Sequence, residues 1–311
     1  MKKFTILLVT FLGLNALAQN NTVKESEVAV NDLIKGTLFT PANPSANTKL
    51  VIIIAGSGPT DRNGNQAGMN NNALKMLAQS IAQNGNAAYS YDKRILAMAK
   101  TGKLDESSLN FEDFIKDAKD VIAYFKAKKT YSKIIVAGHS EGSLIGMEAA
   151  NGNADGYISI AGSGRPIDQV IMDQLKAQPQ QMRDSAAKYF AILKDGKTFK
   201  LDDPSMAFLF RESVQPYMIS WMKYKPQQDI KALKIPVLLV NGTKDLQVAV
   251  SEAELLHAAK PDATLELIPN MNHVLKTIEN GDAENAASYG KPDLPENPKF
   301  LTVVNQFIKS I

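Results

Sequence analysis

The sequence predicts an α/β fold: a mainly parallel central sheet with helices on both faces, interrupted by a helical insertion at about residues 165–233. Three observations carry this expectation. Short apolar, β-branched runs alternate along the chain with segments of helical spacing, the pattern of strands covered on both faces and joined by right-handed crossovers. One of those runs, Ile134-Ile135-Val136-Ala137, ends directly on Gly138-His139-Ser140-Glu141-Gly142. The stretch from about Arg165 to Leu233 breaks the alternation and reads as helix, with Met172, Met182, Met206, Met218 and Met222 beside Phe208, Phe210, Tyr217, Trp221 and Tyr224.

The elements follow in order. Strands are expected at Glu27–Val30 and Ile34–Thr40, before a turn-rich break from Pro41 to Asn47. Leu50–Ile54 is a continuous apolar run and reads as a buried strand. Ala73–Ala82 reads as helix, with Leu74, Leu77 and Ile81 on one face; Asn86–Tyr91 reads as strand and Phe111–Ala127 as helix. The strand before Ser140 gives way to a helix from Ser143 to Ala150, then to a strand at Gly156–Ile160. Strands at Pro236–Val240 and Thr264–Ile268 flank a helix at Val250–Ala259, and an amphipathic helix, Phe300–Ile308, closes the series.

Residues 1–18 read as an export signal rather than as part of the fold. Lys2 and Lys3 precede an apolar stretch, Phe4 to Leu14, and Ala16-Leu17-Ala18 supplies a small-residue cleavage site before Gln19. The stretch is too short to span a bilayer comfortably, and no later one approaches the length needed. The expected product, residues 19–311, is periplasmic or secreted. Loss of two lysines lowers the formal net charge from +3 to about +1, a balance that argues against nucleic acid or an anionic membrane as the main partner. With no Cys in the chain, thiolate nucleophiles, disulfides and thiolate zinc sites are excluded. No His pair has metal-ligand spacing. Gly56-Ser57-Gly58 lacks the third glycine of a dinucleotide loop, and Gly196-Lys197-Thr198 lacks the leading glycine of a phosphate loop. No cofactor is expected.

The chemistry converges on Ser140. A serine hydroxyl needs a base to become a nucleophile, and the chain offers three histidines. His139 adjoins Ser140 in the turn and should point elsewhere, while His257 lies within a helix. His273 follows the last strand in a polar loop, where it can reach a site at the strand ends. The base in turn needs a carboxylate partner. Asp245, four residues past Asn241, follows the Pro236–Val240 strand; Asp262 and Glu266 are weaker candidates, one in a turn and one within a strand. A tetrahedral intermediate needs two donors: the backbone N–H of Glu141, and that of Ser57 in the loop after Leu50–Ile54, with Gly58 as the alternative.

These residues give the chain a resemblance to the α/β-hydrolase superfamily, and more narrowly to exported bacterial esterase-like hydrolases related to serine aminopeptidases and dienelactone hydrolases. The resemblance runs from about Ile34 to Ile311. It rests on the segment from Gly56 to Asn65, Tyr91-Asp92-Lys93-Arg94, Gly138 to Gly142, Asn241 to Asp245 and Asn272-His273. It implies a Ser-His-Asp hydrolase of small-molecule carboxylic esters with Ser140, His273 and Asp245 in the motif positions. Members commonly carry Gly after the Asp-Lys-Arg segment, where this chain has Ile95. Asp61, Arg62, Asp92 and Arg94 are expected to brace loops by ion pairs. An exopeptidase would share the triad and would need an acid in the inserted segment, Glu212 or Asp184, to hold a substrate amine. A thioesterase could use the same triad, and a non-catalytic binding module would keep only the fold.

Overall fold

The computed structural model describes residues 22–311; the expected export segment, residues 1–18, lies outside the described residues. Eight strands form one sheet: β1 (Lys24–Ala29), β2 (Lys35–Thr40), β3 (Leu50–Ile54), β4 (Ala87–Tyr91), β5 (Ile134–His139), β6 (Gly156–Ile160), β7 (Val237–Gly242) and β8 (Thr264–Ile268). Their spatial order is β1-β2-β4-β3-β5-β6-β7-β8. β1 and β2 pair antiparallel, as do β2 and β4, and every pairing from β4 to β8 is parallel.

Burial explains the division. β3, β4, β6 and β7 are buried at every position, as strands covered by helices on both faces must be. The two faces belong to different apolar clusters. Leu50, Ile52 and Ile54 pack with the helix Phe111–Lys128 on one side, while Val51 and Ile53 pack with Ala73–Gln83 and Pro298–Ser310 on the other. β1 alone is almost wholly exposed and forms the sheet's edge.

The chain leaves β3 to one side for β4, then crosses to the other side for β5. In open α/β sheets such a switch point leaves a crevice outside the carboxyl ends of the strands. The segments after β3, β5, β7 and β8 therefore meet at one edge. Between β6 and β7 the described backbone is helical, with helices at Ile167–Gln174, Gln180–Lys194 and Gln215–Trp221 among shorter turns. This segment is anchored by its aromatics: Trp221 stacks on Phe111 with ring centroids 5.4 Å apart and planes 7° from parallel. Its far end holds a second cluster of Tyr189, Phe190, Phe199 and Phe210.

Candidate active site

The turn after β5 sets Ser140 apart. Ser140 has φ 55° and ψ −121°, a region costly for a residue with a side chain by about 1–3 kcal/mol. The cost is met by its surroundings: Ser140 N–H donates to the Ile160 carbonyl (2.9 Å) and its carbonyl accepts from Ser143 N–H (2.9 Å). Its glycine neighbours are sterically required. A Cβ on Gly138 would lie 2.0 Å from the Gly142 carbonyl oxygen, and one on Gly142 would lie 2.4 Å from the Ile54 oxygen and 2.5 Å from that of Ala55. These are backbone atoms of the helix Glu141–Ala150, of β3 and of the residue after it, and cannot step aside. Gly142→Ala is therefore expected to destabilise the fold by about 3 kcal/mol or more and to abolish activity with it, measurable by urea denaturation and by ester turnover on the same preparation.

His273 and Asp245 are brought together as the sequence predicts. His273 Nδ1 donates to Asp245 Oδ2 at 2.8 Å, with the two side chains 5% and 0% exposed. This bond leaves His273 Nε2 as the basic nitrogen. Asp245 Oδ1 accepts from the backbone N–H groups of Gln247 (2.8 Å) and Val248 (2.9 Å), so the buried carboxylate is fully partnered. The His273 loop is pinned from the other side. Asn272 Nδ2 donates to Asn285 Oδ1 (2.8 Å) and Ser288 Oγ (2.7 Å), and Asn285 Nδ2 reaches the Lys244 carbonyl (2.7 Å). The short helix Asp282–Ser288 thus ties the base loop to the acid loop.

Ser140 and His273 open onto the same cavity, about 500 Å³ in volume. Among the described residues Ser140 Oγ makes no hydrogen bond; such contacts commonly tighten only once substrate is bound. Ser57 and Glu141 line the cavity too, and neither backbone N–H donates to another described residue. Gly58, with φ 78°, turns the loop, which Thr60 Oγ1 and Gln66 Nε2 fix through the Ser57 carbonyl (2.8 and 2.7 Å).

The other candidates fall outside the centre. Asp262 is exposed and pairs with Lys260 (2.9 Å), Glu266 lies within β8, and His257 stays within the helix Val250–Ala259. The expected bracing pairs form: Arg62 binds Asp92 (2.6 Å), and Arg94 binds Asp113 (2.8 Å) and Asp117 (2.7 Å). Asp61 instead caps its own loop, accepting from the N–H groups of Asn63 and Asn65. Glu212 and Asp184 do not line the cavity. Glu212 accepts from Leu201 N–H and Asp184 from Gln180 Nε2, both on exposed surface.

Two site residues were hidden from sequence reasoning. His139 Nε2 donates to the His273 carbonyl at 2.8 Å, with ring centroids 4.7 Å apart. Burial, reinforced by His273 nearby, lowers the pKa of His139 to about 3, so its imidazole is neutral at working pH. A histidine depressed in the folded state protonates first in the unfolded chain. Its contribution to stability is complete above about pH 6.5 and drains away as pH falls toward 3. His139→Gln should flatten the fall in urea midpoint across that window. Lys93 is the second: its Nζ donates to the Gly56 carbonyl (3.0 Å) and pairs with Glu141 Oε1 (2.5 Å), both side chains buried. The only signal for it was its place within Tyr91-Asp92-Lys93-Arg94, where the flanking charges drew the attention.

The cavity wall is largely apolar. Leu109, Phe114, Leu144, Ile171, Met218 and Trp221 contribute to it. Two lining carboxylates are already neutralised, Glu141 by Lys93 and Glu106 by Arg211. Tyr217 places its buried hydroxyl beside Glu141; burial, with that carboxylate adding to it, raises its pKa well above the ordinary phenol value.

Comparison with known proteins fits this geometry. The family described as serine aminopeptidase, S33, matches residues 67–279. Esterase EstD of Thermotoga maritima is 27% identical over 258 residues, which is 81% of this chain. The chain spans 60% of the length of that relative. Among solved structures, Est1E from Butyrivibrio proteoclasticus aligns over 92% of this chain and 98% of its own, with a TM-score of 0.57 at 17% identity. Proline iminopeptidase from Mycobacterium smegmatis aligns over the same shares with a TM-score of 0.54 at 16% identity. At such identities these likenesses concern the fold.

Proposed function

This chain belongs to the serine aminopeptidase S33 family of hydrolases, and from that premise we propose that it is a serine esterase that cleaves small carboxylic esters with an uncharged acyl group. The observation that carries the ester reading within this family is the wall of the cavity. A peptidase that trims from the amino terminus must hold a substrate ammonium, and an unpaired carboxylate is the natural partner. The described cavity presents two carboxylates, each already paired with a cation, against a mainly apolar lining. An apolar acyl or aryl group gains about 25 cal/mol per Å² buried there, whereas an ammonium would lose hydration without an unpaired partner. The esterase name carried by the Thermotoga maritima relative supports the same choice.

Ser140 Oγ attacks the ester carbonyl while His273 Nε2 takes its proton. The carbonyl π pair moves onto oxygen, where the N–H groups of Glu141 and Ser57 hold it. Collapse breaks the bond to the alcohol oxygen, which leaves with the proton from His273. Water, activated by the same nitrogen, then releases the carboxylic acid and restores Ser140. Asp245 keeps the proton of His273 on Nδ1 and stabilises the imidazolium.

A matched series of p-nitrophenyl esters and aminoacyl-p-nitroanilides tests the substrate class. Ester kcat/KM should exceed that for the anilides by more than the difference in their chemical reactivity, measured with hydroxide on the same compounds. An anilide preference after that correction would make the protein an aminopeptidase. Export is part of the same reading and rests on the pattern of residues 1–18. Amino-terminal sequencing of protein expressed in a secreting bacterial host should begin at Gln19; an intact Met1 would contradict it.

A further inference from the structure

The two proposed oxyanion donors sit on separate stretches of chain, the loop after β3 and the turn after β5, and each must point at the same few cubic ångströms. Lys93, from the segment after β4, touches both. Its ammonium donates to the Gly56 carbonyl at 3.0 Å and to Glu141 Oε1 at 2.5 Å. In a trans peptide the carbonyl and the following N–H point in opposite directions. Fixing Gly56 O on Lys93 therefore turns the Ser57 N–H away from Lys93. Gly56 itself lies against the nucleophile, since a Cβ built there would come 3.2 Å from Ser140 Cβ. The other end of the ion pair belongs to Glu141, whose own N–H is the second donor.

We infer that Lys93 is a positioning residue which, clamped between the Gly56 carbonyl and the Glu141 carboxylate, sets the direction of both oxyanion donors. This rests on the esterase reading. The pair's setting supports the assignment. Lys93 and Glu141 side chains are 5% and 1% exposed, and Lys93 Nζ sits 4.6 Å from the centroid of the Phe114 ring. Burying an ion pair of this kind gains little or no stability over apolar residues of the same volume, so stability does not account for it. What the pair does supply is a rigid, dry link between two loops that must agree in direction.

The test compares the parent, Lys93→Met and Lys93→Met/Glu141→Leu on p-nitrophenyl butyrate, with competent sites counted by end-point fluorophosphonate titration. Per titrated site, Lys93→Met should lower kcat by about 10²-fold, the scale for losing one well-aimed oxyanion donor, with KM within about threefold of the parent. The inhibition constant of an alkyl trifluoromethyl ketone, which binds as a tetrahedral oxyanion, should weaken by about the same factor as kcat/KM. Should Lys93→Met fail to fold because Glu141 is left buried and unpaired, the double variant removes both charges and should fold with the same loss. Unchanged kcat and ketone affinity per titrated site, with only melting temperature or competent fraction reduced, would overturn the assignment while leaving the esterase reading intact. A parent that hydrolyses no ester would overturn the esterase reading and the assignment with it.

Discussion

Ser140→Ala should lower kcat on p-nitrophenyl butyrate by about 10⁶-fold, the scale on which a triad collapses when its nucleophile is lost. Neither of the other serines lining the described cavity, Ser57 and Ser163, has the strained positive-φ backbone that holds Ser140 at the end of its strand. Ser57 sits exposed on the loop after β3, with its carbonyl held by Thr60 and Gln66. Ser143 is buried, and its hydroxyl is shared between Tyr157 Oη (2.8 Å) and Ser159 Oγ (2.7 Å). The substitution removes one oxygen at a position of positive φ that alanine tolerates no worse than serine, so the melting temperature should hardly move. Turnover by Ser140→Ala equal to the parent's would place the chemistry elsewhere.

Asp245→Asn should cost about 10⁴-fold in kcat at neutral pH. The carboxylate accepts three hydrogen bonds, from His273 Nδ1, Gln247 N–H and Val248 N–H. An amide can keep its oxygen on the two backbone donors, but its NH₂ then faces His273. The imidazole would have to accept from that NH₂ through Nδ1 and carry its own proton on Nε2, where it faces Ser140 as a donor. The loss is one of tautomer rather than of position. Asp245→Asn should therefore fall in kcat with little change in KM, and part of the activity should return at alkaline pH, where hydroxide can deprotonate the serine directly. Equal losses in kcat and stability, with no alkaline recovery, would make Asp245 merely a brace of the β7 loop.

The sheet was legible because its strands are buried on both faces, which leaves β3 and β6 as unbroken apolar or small-residue runs with clean ends. The observed bounds of β3, β6, β8 and the helix Val250–Ala259 coincide with the expected ones. β1 runs Lys24–Ala29 rather than Glu27–Val30: an exposed edge strand has no apolar alternation to mark its register. The helix at Ser140 begins at once, at Glu141, because the strained turn itself starts it. Two helices gave no signal. Arg94–Lys100 buries no residue, and Asp282–Ser288 buries only Asn285 and Ser288, so neither shows an apolar face.

The proposed triad was legible for a different reason. With three histidines and one Gly-x-Ser-x-Gly turn directly after a strand, chain order after successive strands favoured Ser140, Asp245 and His273. The supporting contacts had no such constraint. His139 meets the carbonyl of His273, and Lys93 meets Glu141, across long stretches of sequence in which nothing distinguishes a buried polar pair from two surface residues. Glu212 and Asp184, proposed as anchors for a substrate amine, have the right charge and the right segment. Only the fold shows that neither lines the cavity.

Labelling the protein with a fluorophosphonate and mapping the adduct by mass spectrometry puts the reading to its most direct trial. A single adduct on Ser140, formed in the parent and nearly absent in His273→Ala, is the predicted result. No adduct, or one on another residue with Ser140 unmodified, would contradict a nucleophile at Ser140 activated by His273.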